Sequence, residues 1–389
     1  MKTNPGGQLS PEQIVGRDAL ITEIWRILEG RSIYMNDLRR IGKTQIMVKM
    51  HAVRPANWSS VKCDLGGFHT AAEFATQVYR MSNEVLGTSK KAFLRMGELF
   101  DKMKGTEIAG VLKLPDGNAA PWKEVIRRTF ADVNDAMKQL GPDHQIVYFW
   151  DEIPFLLDNI TKREGPTVAM EVLDVLRALG QDHDRIRLVL TGSIGLHHIL
   201  NTLKGEGYSN SPLNHMELVQ PGPLAHQDAV LLAGALLAGD GVECADHLAC
   251  ATEVANAVGC VSFYIHKLIS RLPRHATATP ESIQDVLKRE ITSDNNDWDF
   301  EHYRKRLGTY YGKDERLALE VLDCLASKEP LSFQALRREI SARKKIDEER
   351  LRDLLGLLCR DHYLVRTKEN EYRFYLTLIR RWWTLSRSL

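Results

Sequence analysis

The chain is predicted to open with an α/β domain, a parallel sheet carrying helices on both faces, and to continue with an α-helical region and a C-terminal winged helix-turn-helix. From about residue 12 to 220, short apolar runs alternate with helical periods, the signature of βαβ units. One run, Ile146-Val-Tyr-Phe-Trp150, is apolar throughout and reads as a buried strand. From about 221 to 290 the pattern is helical only, and after 313 helices give way to a short hairpin. The expected division is therefore 1–220 for the α/β core, 221–300 for a helical lid and 313–389 for the winged helix.

In chain order, Pro11 to Leu28 reads as helix and Arg31 to Asn36 as a strand running into a loop. Thr44 to His51 opens the next helix, and Val61 to Asp64 is a second short strand. A long helical stretch then extends to about Lys104. Glu107 to Lys113, followed by Pro115-Asp-Gly-Asn118, reads as a hairpin turning at Asp116-Gly117. Trp122 to Leu140 is helix, Gln145 to Trp150 strand, Val168 to Leu179 amphipathic helix, and Arg187 to Thr191 a further buried strand.

Basic and acidic residues nearly cancel, 52 against 51, so whole-chain charge argues for neither nucleic acid nor membrane. The N-terminus lacks the apolar core of a signal peptide, and no apolar stretch approaches the ~20 residues that cross a bilayer. Six cysteines scattered among apolar segments fit buried thiols in a reducing, cytoplasmic compartment. Cys244, His247 and Cys250 are spaced so that a helix fans them apart, which favours packing over a metal site.

The segment that carries chemistry is Asp37-Leu38-Arg39-Arg40-Ile41-Gly42-Lys43-Thr44, lying after a strand and before a helix. A loop so placed aims backbone N–H groups at a phosphate, and the helix N-terminus adds a favourable dipole. Gly42 permits close approach, Lys43 bridges the β- and γ-phosphates, and the Thr44 hydroxyl is a Mg²⁺ ligand. The full pattern is G-x-x-x-x-G-K-S/T; here Asp37 replaces its first glycine, so the carboxylate must turn away from polyphosphate. Asn36 and Asp37 both tolerate the left-handed backbone a glycine would supply.

The strand at 146–150 ends in Asp151-Glu152. In open α/β sheets the crevice lies beyond the carboxyl ends of the strands, which points both acids at the Gly-Lys-Thr loop. Asp151 is expected to hold Mg²⁺ through water, and Glu152 to polarise the attacking water for in-line displacement. Leu188-Val-Leu-Thr191-Gly-Ser193 closes another strand with small hydroxyls, so that Thr191 or Ser193 would sense the γ-phosphate.

These residues resemble a known group. Ile14-Val-Gly-Arg17-Asp18 upstream of Arg39-Arg40-Ile-Gly-Lys-Thr44 is similar to the "hVGRE…GPRRxGKT" opening of archaeal-type ATPases in the AAA+/STAND assemblage, which includes origin-recognition initiators. Phe149-Trp-Asp-Glu-Ile-Pro154 resembles their Walker B run, and Leu190-Thr-Gly-Ser-Ile-Gly195 their sensor-1 segment. Val258-Gly-Cys-Val-Ser-Phe-Tyr264 is similar to the opening of their helical lid. Tyr372-Arg-Phe-Tyr-Leu-Thr-Leu-Ile-Arg-Arg381-Trp382 resembles the end of their winged helix. The resemblance implies ATP and Mg²⁺ as ligands, with Val15, Gly16, Arg17, Asp37, Arg39, Arg40, Ile41, Gly42, Lys43, Thr44 and Gln45 around the nucleotide. It also implies an ATP-switched, often oligomeric regulator that acts beside a partner protein, in mobile-element, DNA-maintenance or anti-phage contexts. Three departures, Asp37 at the loop glycine, Val261 where the lid proline contacts adenine, and a Ser211 to Met216 run without the family's arginine, predict slow turnover or nucleotide held mainly as a structural switch.

In the C-terminal region, Leu317–Leu325, Leu331–Ile340 and Glu348–Arg360 read as helices, followed by strand, turn and strand over Leu364–Phe374. A DNA reader would place basic residues at the start of the third helix. Asp347-Glu-Glu-Arg350-Leu-Arg352-Asp353 places acids there instead, while Arg343-Lys344-Lys345 lies in the preceding turn. Trp382 and Trp383 read as core anchors. The leading expectation is thus an ATP-binding and ATP-hydrolysing switch. The alternatives are a DNA-binding initiator or regulator licensed by ATP, and an interaction protein with a degenerate nucleotide site.

Overall fold

The computed structural model describes residues 1–86, 121–192, 195–293, 297–342 and 347–389. The expected hairpin at 107–118, Ser193 and the basic cluster at 343–345 lie outside these residues. Contacts divide the chain into two compact units. One, a sheet unit, comprises Asp18–Asn36 and Lys43–Pro221. The other, a helical unit, comprises Met1–Arg17, Asp37–Gly42 and Gly222–Leu389.

In the sheet unit, β1 (Ile33–Met35), β2 (Trp58–Asp64), β3 (Gln145–Asp151), β4 (Ile186–Thr191) and β5 (Glu217–Val219) form a parallel sheet in the order β2-β3-β4-β1-β5. Its helices are α1 (Asp18–Leu28), α2 (Lys43–Ala52), α3 (Ala71–Leu86), α4 (Pro121–Leu140), α5 (Ile153–Glu164), α6 (Pro166–Asp182) and α7 (Leu196–Gly205). The period-2 alternation of β3 serves both faces. Val147 and Phe149 pack with Ile24 and Leu28 of α1 and Met47 of α2. Tyr148 and Trp150 pack on the opposite face with Phe74 of α3 and Phe130 of α4. Phe130 stacks on Tyr148 at 5.1 Å, and Phe74 meets Trp150 edge-on at 5.3 Å. The Tyr148 hydroxyl pairs with Ser82 Oγ at 2.7 Å, which satisfies the buried phenol.

Local signals correct two sequence expectations in this part of the chain. The helix expected over Pro11–Leu28 is interrupted: a 3-10 turn at Pro11–Gln13 is followed by extended chain, and helix begins only at Asp18. Gly16 causes the break, since its φ of 70° is left-handed. Helices α5 and α7 and strand β5 are unforeseen. The α5 pattern is visible in hindsight, with Ile153, Leu156, Leu157 and Ile160 on one buried face and Pro154 in the first turn.

The helical unit holds α8 (His226–Gly239), α9 (His247–Ala257), α10 (Ser262–Ser270), α11 (Pro280–Ile291), α12 (Glu301–Tyr310) and α13 (Glu315–Lys328). It continues with β6 (Leu331–Ser332), α14 (Phe333–Ser341), α15 (Glu348–Arg360), β7 (Leu364–Arg366), β8 (Glu371–Phe374) and α16 (Thr377–Ser386). Caps set the helix starts where the sequence offers them. Asp246 accepts from Ala249 N–H at 3.0 Å, and Thr279 accepts from Ser282 N–H at 3.2 Å just ahead of Pro280. The segment expected to open as helix at Leu331 is instead a two-residue strand, with Ser332 capping the helix that follows. Strands β6, β8 and β7 pair antiparallel in that order, completing a winged helix behind α13, α14 and α15.

A single apolar core runs through the helical unit, from Leu224 and Val261 to Trp382 and Trp383. Trp383 is fully buried and donates from Nε1 to Asp323 at 2.8 Å, so both tryptophans act as the expected anchors. The core also encloses an ion pair between Arg306 and Asp361 at 3.3 Å, and the Tyr311 hydroxyl donates to the same carboxylate at 2.6 Å. Cys250 is buried with its thiol on the Ala278 carbonyl at 3.3 Å, and burial pushes the neighbouring Cys244 thiol up to about 11. No described helix is long and apolar enough to cross a membrane.

Candidate functional site

In the sheet unit, three chain segments meet at the carboxyl edge of the parallel strands. Helix α2 begins at Lys43, so Lys43 and Thr44 occupy its first turn, where unpaired N–H groups and the helix dipole favour an anion. The ammonium-bearing Lys43 is buried, with only 7% of its surface exposed. The Thr44 hydroxyl donates to Asp151 Oδ2 at 2.5 Å, across 107 positions of sequence. Asp151 ends β3, and its other oxygen accepts the Glu152 N–H at 3.0 Å.

Glu152 has φ 60° and ψ 36°, a left-handed conformation that glycine and asparagine adopt more readily than glutamate. Such strain persists only where surrounding structure holds it, and it concentrates at functional positions. The holding structure is the turn after β2. Leu65 N–H bonds the Asp151 carbonyl at 3.0 Å, and Asn159 of α5 donates to the carbonyls of Gly66 and Phe68 at 3.2 and 3.1 Å. A Cβ on Gly66 would stand 3.4 Å from the Glu152 Cβ, so the glycine gives the glutamate its room.

Two neighbours here escaped sequence reasoning. Asp64 pairs in register with Asp151, which makes it a third carboxylate on this edge, and Gly66 abuts Glu152. The signal for both was the Cys63-Asp-Leu-Gly-Gly67 run that ends the second strand.

Thr191 ends β4, between β1 and β3: it is in register with Met35, one position beyond the pairing of Leu190 with Trp150. Its hydroxyl is fully buried and has no hydrogen-bond partner among the described residues. A buried hydroxyl without a partner is costly, so it marks a place where a further polar group belongs. Gln45 follows in α2, half-buried, with a side-chain oxygen that likewise has no partner among the described residues.

The remaining loop residues fold with the helical unit. Arg40 and Gly42 have φ of 68° and 106°, and a Cβ on Gly42 would meet nothing within 4 Å. Gly42 is therefore needed for backbone conformation rather than for space. The Asp37 carboxylate is turned inward as required: it is buried, accepting Leu38 N–H and Gly222 N–H, each at 2.7 Å. Arg39 and Arg40 are paired with Asp299 at 3.0 and 3.6 Å, and Arg40 also lies 4.6 Å over the Phe263 ring. Ile41 is buried, and its carbonyl accepts from Arg17 Nη2 at 2.9 Å. Burial pulls the Arg17 guanidinium below its usual pKa, and the nearby Asp37 carboxylate opposes that shift. Gly16 leaves room for Asp228, whose Cβ would lie 2.6 Å from a Cβ there, and Val15 packs against the same core. Val261 is buried in that core as well.

The oxygen donors of Thr44 and Asp151 form a hard ligand set suited to Mg²⁺, beside a lysine and a helix N-terminus suited to polyphosphate. The residues present therefore fit both groups.

The sheet unit is a parallel sheet in which one strand, β4, separates the strand ahead of the Gly-Lys-Thr loop from the strand that ends in acids, and the chain continues with a helical region and a winged helix. Solved structures agree. The chain is similar to the Walker-type ATPase of Pyrococcus abyssi, with a TM-score of 0.66 and 15% identity over 98% of this chain and 99% of that one. It is also similar to the ORC2 protein of Aeropyrum pernix, solved as ADPNP and ADP complexes, with a TM-score of 0.51 and 10% identity over 98% of both chains. No family model matches the sequence, and no curated protein matches it. The likeness to archaeal-type and origin-recognition ATPases read from the motifs is thus met at the level of fold.

Proposed function

We propose that this protein binds ATP with Mg²⁺ and hydrolyses it, and that its nucleotide state controls a partner protein or assembly. The observation that carries the reading is the Thr44–Asp151 contact of 2.5 Å, which unites a loop-end hydroxyl with a strand-end carboxylate beside Lys43. Lys43 would hold the β- and γ-phosphates, while Thr44 and Asp151 would hold Mg²⁺ directly and through water. The metal's contribution when bound is to neutralise charge on the phosphate oxygens. Glu152 is the base that orients the attacking water, and Thr191 fills the position from which a γ-phosphate is sensed.

The domain roles follow: 1–220 as catalytic core, 221–300 as lid and 313–389 as winged helix. We favour protein docking over DNA contact for the last. Asp347 caps α15 through Glu349 N–H at 3.1 Å, and Glu348 pairs with Arg337 at 2.7 Å, so acids occupy the start of the would-be reading helix.

The test is binding of a fluorescent ATP analogue with Mg²⁺, together with phosphate release. Lys43→Ala is expected to abolish binding; Glu152→Gln is expected to bind and lose turnover by roughly 10²-fold or more. Turnover by Glu152→Gln at the parental rate would reject the assignment of the base, and binding by Lys43→Ala at parental affinity would reject the site.

A further inference from the structure

Helix α5 starts at the residue after Glu152 and carries Asn159 about two helical turns further on, along the same face. The Asn159 side chain is half-buried, and its Nδ2 donates to two carbonyls of the turn that follows β2, Gly66 at 3.2 Å and Phe68 at 3.1 Å. An amide nitrogen carries two hydrogens, so both are spent on this one turn. Asp64 closes the turn from its other side, its Oδ1 accepting the Gly66 N–H at 2.9 Å, and the Phe68 N–H bonds the Leu65 carbonyl at 3.2 Å. Further along α5, Glu164 accepts the Ala71 N–H at 2.7 Å, so the helix grips the segment between β2 and α3 at two points.

This brace converges on Glu152. The turn holds the residue before it, since Leu65 N–H reaches the Asp151 carbonyl at 3.0 Å. Helix α5 holds the Glu152 carbonyl, which accepts the Leu156 N–H at 3.1 Å. Between them lies Gly66, where a Cβ would stand 3.4 Å from the Glu152 Cβ and 3.8 Å from its Cγ. The Gly66 backbone is not left-handed, so this glycine is needed for its missing side chain rather than for conformational freedom. A left-handed glutamate keeps its conformation only while its surroundings impose it, and Asn159 supplies the donors that keep the turn against it.

We propose that Asn159 is a positioning residue for Glu152: by clamping the Gly66–Phe68 turn it fixes the direction of the glutamate carboxylate, and with it the place of the attacking water. The inference rests on the reading of Glu152 as the base and adds to it a residue that acts through the turn. The clamp sets the direction of one carboxylate and leaves Lys43 and Thr44 untouched. Its loss should therefore lower turnover at unchanged triphosphate affinity.

The experiment uses the full chain, with Mg²⁺–ATP for phosphate release and a fluorescent ATP analogue for affinity. Asn159→Leu keeps the size of the side chain and removes both donors. It is expected to lower turnover roughly ten- to a hundredfold at parental affinity. In a Glu152→Gln background, followed as single turnovers with protein in excess, the same substitution should cost at most about twofold, because the group it positions is gone. Parental turnover in Asn159→Leu, an affinity loss as large as the turnover loss, or an equal further loss in the Glu152→Gln background would each overturn the proposal.

Gly66→Val approaches the same glutamate from the turn and keeps the test decisive where Asn159→Leu does not fold. Its methyls reach beyond a Cβ that already stands 3.4 Å from Glu152, so turnover should fall while affinity holds. Gly66→Val at the parental rate refutes the clamp. Failure of the underlying reading looks different. Glu152→Gln at the parental rate removes the base assignment and this inference with it, whereas slow Glu152→Gln beside parental Asn159→Leu removes this inference alone.

Discussion

Thr44 and Asp151 are 107 residues apart in sequence and share a 2.5 Å hydrogen bond in the fold. The hydroxyl is the second residue of a helix and the carboxylate is the last of a strand, so neither is placed by the other's local chemistry. What joins them is the strand order, in which β4 alone separates the strand ahead of the loop from the strand that ends in acids. That single inserted strand also places Thr191 at the same edge.

Thr44→Val keeps the shape of the side chain and removes its oxygen. Triphosphate affinity in Mg²⁺ should fall by about ten- to a hundredfold, while affinity in excess chelator should be unchanged. Titration of a fluorescent ATP analogue under both conditions checks this. An equal loss in both would assign Thr44 to phosphate rather than metal.

Thr191→Val should leave the fold as stable as before, or slightly more stable, because the hydroxyl removed is buried and unpartnered. Turnover should fall by about tenfold, with nucleotide binding near parental. Thermal unfolding combined with phosphate release separates these effects. A loss of stability without a loss of turnover would make Thr191 a purely structural residue.

The ion pair of Arg306 and Asp361 is almost wholly buried, with Tyr311 on the same carboxylate. Asp361→Leu would strand a guanidinium in the core and should destabilise the helical unit by about 3–5 kcal/mol. Replacing both partners by apolar residues should recover much of that loss. Urea unfolding of single and double variants tests the asymmetry.

His266 accepts the Asn4 N–H at 3.1 Å, and burial lowers its pKa to about 4, opposed by Asp240. Burial likewise lowers His302 to about 4, reinforced by Arg306 and Arg39. Both are neutral in the folded chain, whereas an unfolded histidine takes up a proton near pH ~6.5. The unfolded state therefore binds more protons below that value. This stability is present above pH ~6.5 and is lost progressively as pH falls toward about 4. Each histidine accounts for at most about 3 kcal/mol. Denaturant midpoints from pH 7 to 4 should show a shallower decline in His266→Gln than in the parental chain, and identical slopes would refute the assignment.

Much of the site was legible before the fold was known. Lys43-Thr44 after a strand, and Asp151-Glu152 after an apolar run, each carry a residue type and a local context that physics restricts. Strands β1 to β4 and the helices of 226–291 were visible because burial repeats at their own periods. Strand β5, three residues long on the sheet edge, carries too short a pattern to read. Helix α5 was missed because its start coincides with the left-handed Glu152, which belongs to neither period.

By itself, the sequence determined the class of the fold and the local placement of the Gly-Lys-Thr loop and of the two acids, since these rest on composition and spacing over a few residues. Only the tertiary structure decided what those charges do. It turned Asp37 inward onto the Leu38 and Gly222 amides, paired Arg39 and Arg40 with Asp299, and set Gly66 against Glu152. The reason is physical: periodicity reports whether a position is buried, whereas the partner of a buried charge is chosen by whichever distant segment the fold brings within hydrogen-bonding range.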